Sequence, residues 1–179
     1  MNLDSLLLER KKPLLQNWFD ALLGSYAPET ARLLKKETNQ FANPVGHTYR
    51  VALTGVLDEF LGENRLETLS PLLDRILRIR AVQEFSPSSA LAFILVLKKL
   101  ARDLVQAEVA QGSVGPAELF DFDERVDGLA LAAMDVYSKC RNTLYEVRIR
   151  EIKDRTQRLL HRAEIIGDIP PLKPEDEQQ

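Results

Sequence analysis

Proline and glycine cut this chain at intervals that suit helices and little else. Proline fits the first turn of a helix, where its missing N–H would have had no partner. Asn43-Pro44, Ser70-Pro71 and Ser86-Pro87 each set a capping side chain just before a proline. Pro13, Pro28 and Pro116 can open helices in the same way. Glycine accepts the left-handed conformation found at helix ends, and Gly24, Gly62, Gly112 and Gly167 each follow an apolar-periodic segment.

The segments between these marks repeat with helical period. In 44–61 the stripe is Val45, Tyr49, Ala52, Leu53, Val56, Phe60 and Leu61, and in 65–83 it is Leu66, Leu69, Leu73, Ile76, Leu77 and Ile79. Segment 87–111 carries the run Ala90 to Leu97, apolar all round, which predicts a central buried helix with Leu91, Ile94, Leu95 and Leu97 inside. No run alternates with period two for long enough to build a sheet. The spacing predicts an all-α fold with helices over 2–11, 13–23, 28–39, 44–61, 65–83, 87–111 and 117–166. The acidic stretch Asp121–Asp123 is the place where the last helix could break. Residues 1–140 read as one helical domain and 141–167 as a linker-like helix continuous with it. Residues 168–179 read as a polar tail without structure.

Bulk properties exclude several classes. The chain has 179 residues, 45% of them hydrophobic, enough for a core. A net charge of −3 argues against a general nucleic-acid binder. Cys140 stands alone, so no internal disulfide forms, which fits a reducing compartment. The start lacks a cationic stretch with a cleavable apolar core, and the longest apolar run is far short of the ~20 residues of a membrane span. The expectation is a cytoplasmic protein with no membrane insertion.

A search for chemistry yields no catalytic residue. His47 and His161 lie in different helices, and no metal-binding spacing or phosphate-cradling glycine loop is present. Cys140 has no base beside it in sequence and reads as a small buried hydrophobe. Asp121, Asp123, Glu124 and Asp127 lack the glycine turn and distal glutamate of a calcium loop, and suit the positive end of a helix dipole. No cofactor and no metal is expected. The polar candidates are for interaction: His47 with Arg50 on one face of a helix, and Arg75, Arg78 and Arg80 as a basic cluster for an acidic partner. Trp18, Phe19 and Tyr26 belong to the core or to an interface.

The last helix carries a further pattern. Tyr145, Ile149, Ile152, Thr156, Leu159, Ala163 and Ile166 are spaced 4-3-4-3-4-3, the seam of a three-heptad coiled coil. Either this stripe packs on the domain's own helices or it pairs two chains, and the expectation is a homodimer. Residues 141–162 hold seven basic against three acidic side chains, a local +4 that leaves −7 for the rest. Such a helix can meet an acidic protein. No aromatic platform is interleaved for bases, so nucleic acid is not the expected partner.

Three stretches together resemble a known bacterial family. Trp18 through Tyr26 (Trp-Phe-Asp-Ala-Leu-Leu-Gly-Ser-Tyr) looks like the opening helix of RsbR-type N-terminal domains. So does Asn43-Pro44-Val45-Gly46 followed by Tyr49-Arg50, and the fullest match is Arg75-Ile-Leu-Arg-Ile-Arg-Ala-Val-Gln-Glu-Phe-Ser-Pro-Ser-Ser-Ala90. The resemblance runs over roughly residues 5–165. It implies a globin-like helical bundle without haem, a dimeric sensory module whose long C-terminal helix is the signalling linker. In that family the domain usually precedes a STAS domain and helps control a kinase in a stress-signalling complex, the stressosome. The residues through Gln179 depart from that pattern in showing no STAS domain, so the resemblance leaves direct antagonism of a kinase an open expectation. A haem globin needs a proximal histidine on a late helix. Segments 87–111 and 117–140 contain none, His47 comes too early, and His161 lies in the terminal extension. The leading expectation is a regulatory domain acting through dimerisation and a protein partner. The alternatives are a small-molecule or haem-type sensor with a pocket, and an adaptor subunit of a larger assembly.

Overall fold

Side-chain caps at Asn43 and Ser86 start two helices where the sequence places them. The computed structural model describes residues 2–36 and 39–162. The Asn43 carboxamide oxygen accepts the Gly46 N–H at 2.8 Å, and Ser86 Oγ accepts the Ser89 N–H at 3.2 Å. Each such cap contributes about 1 kcal/mol. The helices are α1 (Leu3–Glu9), α2 (Lys11–Leu23), α3 (Pro28–Lys36), α4 (Pro44–Leu61), α5 (Leu66–Val82), α6 (Pro87–Leu104), α7 (Gln106–Ala110) and α8 (Pro116–Arg162). Among the described residues there is no strand, and the fold is an all-α bundle ending in a long helix. The chain divides into two units between Asn142 and Thr143. Residues 116–142 of α8 belong to the first and 143–162 to the second.

In the first unit, α4 packs along α5 and α2 along α6. Gly55 lets α4 and α5 approach closely, since a Cβ there would stand 3.1 Å from both methyls of Leu72. The core joins Leu14, Trp18 and Leu22 of α2, Leu53, Val56 and Phe60 of α4, Leu73 and Ile76 of α5, Ile94 and Leu97 of α6, and Val126 and Tyr137 of α8. Trp18 is fully buried, and its indole N–H donates to the Phe93 carbonyl at 2.8 Å, which satisfies the one polar atom it brings inside.

Four expectations are corrected. Ser70-Pro71 does not open a helix: α5 begins at Leu66, Pro71 lies inside it, and the Ser70 hydroxyl donates back to the Leu66 carbonyl. The 87–111 segment is interrupted at Val105, which ends α6 and starts α7. The Asp121–Asp123 stretch does not break α8, because Asp123 pairs with Arg102 on α6 and the neighbouring Asp127 with Lys98. Leu91, Ile94 and Leu97 are buried as expected, but Leu95 is 49% exposed. Ala90, Ile94, Leu97 and Ala101 follow a 4-3-4 spacing that sets the inner face of α6, and Leu95 falls off it. Gly167 and residues 168–179 lie outside the described residues.

Candidate functional site

The three stretches singled out in the sequence converge inside the first unit, around Arg80. The cause is register. Leu69, Leu73, Ile76 and Arg80 are spaced 4-3-4, so the arginine continues the buried stripe of α5 and is fully buried. Its Nη2 donates to Ser25 Oγ at 2.5 Å and to the Ser89 carbonyl at 2.7 Å, and Nη1 reaches the Leu22 carbonyl at 3.5 Å. Nε finds no acceptor. No carboxylate pairs with this guanidinium among the described ion pairs. Aromatic faces stand in for one, with the guanidinium carbon 4.4 Å from the Phe85 ring centroid and 5.7 Å from those of Tyr26 and Phe93.

Phe85 is brought there by the end of α5. The Glu84 N–H donates to the Ala81 carbonyl and the Phe85 N–H to the Arg80 carbonyl, the paired bonds of a Schellman turn. Glu84 takes the left-handed conformation, φ 61°, where glycine is usual. Around this turn the hydroxyls form a chain. Tyr26 donates to Gln83 Oε1 at 2.6 Å and accepts from the Tyr49 hydroxyl at 2.5 Å, while Tyr137 donates to the Phe85 carbonyl.

The electrostatics of the cluster are those of burial. Desolvation pushes the Tyr26 and Tyr49 hydroxyls up from their ordinary value, and it pushes the Arg80 guanidinium down, partly offset by Tyr49 and Tyr26. Burial, reinforced by Asp74, pushes the Cys140 thiol up to about 11. Raised in this way, the two tyrosine hydroxyls and the Cys140 thiol keep their protons at neutral pH, where a thiolate nucleophile or a phenolate base would need to lose one. Among the described residues no group of three or more His, Cys, Asp or Glu is placed to hold a metal ion.

The other candidates are distributed. Arg50 lies 4.0 Å over the Phe19 ring and donates to the Lys35 carbonyl at 2.7 Å. His47 is half-buried one turn earlier, and no hydrogen bond joins it to Arg50. Arg75 is exposed, Arg78 is exposed and paired with Asp74 at 2.8 Å, and Arg80 is turned inward, so the three arginines do not share one surface. In the second unit Tyr145, Ile149, Ile152 and Leu159 are all exposed large apolar residues, and Thr156 is exposed. Ala163 and Ile166 lie outside the described residues.

Sequence reasoning missed an apolar groove in the first unit. Leu91, Ala92 and Leu95 of α6 face Ala130, Leu131 and Met134 of α8 across a cleft of about 590 Å3. Leu131 is 72% exposed and Met134 41%. No helix among the described residues is long and apolar enough to cross a membrane.

A family model described as the RsbT co-antagonist protein rsbRD N-terminal domain matches residues 12–152. No curated protein and no solved structure matches the chain.

Proposed function

Because this chain belongs to the RsbT co-antagonist protein rsbRD N-terminal domain family, we propose that it is a non-catalytic regulatory domain that works as a homodimer and engages a protein partner. The observation that carries the reading is the groove between α6 and α8. Leu95, Leu131 and Met134 leave apolar surface in water at a cost of roughly 25 cal/mol per Å2, which a covering partner recovers. A second copy supplies the same side chains in return, as two-fold symmetry requires. The seam Tyr145, Ile149, Ile152, Thr156 and Leu159, continued in sequence by Ala163 and Ile166, offers a second apolar stripe for pairing. The protein partner would meet the exposed Arg75 and Arg78 of α5, or the His47 and Arg50 end of α4. This work is done in the cytoplasm and without a cofactor.

The reading is tested by size-exclusion chromatography of three proteins. Wild type is expected to elute as a dimer. Leu95→Glu with Leu131→Glu, and separately Ile152→Glu with Leu159→Glu, are expected to elute as folded monomers or to dissociate at higher concentration, because each buries unpaired charge in the interface. Dimers of unchanged strength in both variants would show that neither surface is used.

A further inference from the structure

The motif Asn43, Gly46 and Arg50 has a task that the dimer reading does not absorb. These residues are spaced i, i+3, i+7 at the start of α4, on one face of the helix. All three meet the last turn of α3. The Asn43 side-chain amide donates to the Leu34 carbonyl at 2.9 Å, and Arg50 Nη2 donates to the Lys35 carbonyl at 2.7 Å and reaches the Leu34 carbonyl at 3.5 Å. A Cβ on Gly46 would stand 2.7 Å from that same Leu34 oxygen, so only glycine lets the two helices close. The carbonyls at a helix end have no partner within the helix and carry the negative end of its dipole, which is why a guanidinium donor suits them.

What α3 lacks is equally specific. None of its nine residues is buried, and Leu33 is among the exposed large apolar side chains. Isolated helices under about 12–15 residues are marginal in water, so α3 depends on docking. Its docking includes the half-buried Ala31 and Leu34, the carbonyl bonds from Asn43 and Arg50, and the exposed Lys35–Asp20 ion pair at 2.8 Å, a kind of pair that adds little. Between α3 and the end of α2 lies an open groove of about 480 Å3, lined by Leu23 and Tyr26 on one side and Pro28, Ala31, Arg32 and Lys35 on the other. At its edge the Tyr26 hydroxyl begins the chain that leads to Tyr49 and Gln83 beside Arg80.

We propose that α3 is a latched element: Arg50 and Asn43 hold its C-terminal end, and it undocks as a unit, ahead of the core, to expose the Leu23 and Tyr26 side of the groove. The site is separate from the α6–α8 groove, and the proposal stands whether or not the chain dimerises. Elements with few buried apolar contacts occupy the low end of local stability, where regulated movement is drawn from.

Hydrogen exchange of the full chain tests this. In wild type the amides of 31–36 are expected to exchange at least about a hundredfold faster than those of 73–77 in α5, as a locally opening element does. Arg50→Lys keeps the charge and removes the Nη2 donor that reaches the Lys35 carbonyl, and is expected to speed exchange at 31–36 about tenfold, the order of one lost charge-assisted hydrogen bond, with α5 and α6 unchanged. Asp20→Asn should act in the same direction by less. A second readout is the labelling of Leu23→Cys in a Cys140→Ser background, which is expected to quicken with Arg50→Lys, while Leu57→Cys in the core does not. Equal protection of α3 and α5 in wild type would overturn the proposal. So would an Arg50→Lys effect spread evenly over all helices, or a Leu23→Cys labelling rate that Arg50→Lys leaves unchanged.

Discussion

The Arg80 guanidinium carbon lies 4.4 Å from the centroid of the Phe85 ring, and the turn that ends α5 puts it there. Arg80 and Phe85 are the two positions of a Schellman turn where an apolar contact usually forms. Here a buried cation takes one of them. Removing it takes a charged donor away from the Ser89 and Leu22 carbonyls and the Ser25 hydroxyl, and leaves a cavity among Tyr26, Phe85 and Phe93. Arg80→Ala is expected to destabilise by about 3 kcal/mol or more in urea titrations. A loss under about 1 kcal/mol would show that the cluster does not organise the ends of α2, α5 and α6.

Glu84 holds a left-handed conformation, φ 61°, that costs a side-chain-bearing residue of order 1 kcal/mol. Glu84→Gly removes that strain and keeps both backbone bonds of the turn. Its expected effect is a stabilisation of about 0.5–1 kcal/mol, read as a raised midpoint in thermal unfolding. A lowered midpoint would mean that the Glu84 side chain contributes more than its backbone costs.

Tyr26, Tyr49 and Cys140 all hold their protons more tightly in the folded chain than ordinary tyrosine and cysteine, which titrate near 10.0 and 9.0. Above those values the unfolded chain has released protons that the native state retains, so unfolding releases protons and stability falls as pH rises. The stabilisation is present in full below about pH 9 and declines above it. Arg80, held below its ordinary value by burial, works in the opposite sense over the pH range where it deprotonates. Urea midpoints measured from pH 8 to pH 10.5 should decline, and Tyr49→Phe should flatten the decline. A flat profile in wild type would contradict the burial of these groups.

Leu95 and Leu97 stand two residues apart on α6 and face opposite ways. Leu97→Ala is expected to cost about 2–5 kcal/mol, as for a packed core site, and Leu95→Ala under about 1 kcal/mol in a monomeric background. Equal costs, read from denaturant midpoints in Leu131→Glu chains, would mean that the α6–α8 groove is filled in solution by the chain itself.

Much of this fold could be read from spacing. Asn43 with Pro44 and Ser86 with Pro87 give two helix starts to the residue, because a capping oxygen and a proline without an N–H act locally. The run Ala90–Leu97 announced a helix but not its inward face, since an all-apolar cylinder has no polar side to read. The groove with Leu131 and Met134 stayed hidden for that reason. Arg80 was legible in principle, because it continues the stripe of Leu69, Leu73 and Ile76. Its neighbours Arg75 and Arg78 made it look like part of a surface cluster. The cage that holds it comes from Ser25, Tyr26, Phe85, Ser89 and Phe93, up to 55 residues away, and no local pattern carries such contacts.

The central claim is that this domain acts as a pair. Sedimentation equilibrium of the wild-type chain at tens of micromolar, about the range where even weak self-association shows, measures it most directly. The expected mass is twice the 20.3 kDa of one chain, falling toward a single chain in Leu95→Glu with Leu131→Glu. A wild-type protein that sediments as one chain throughout that range would contradict the account.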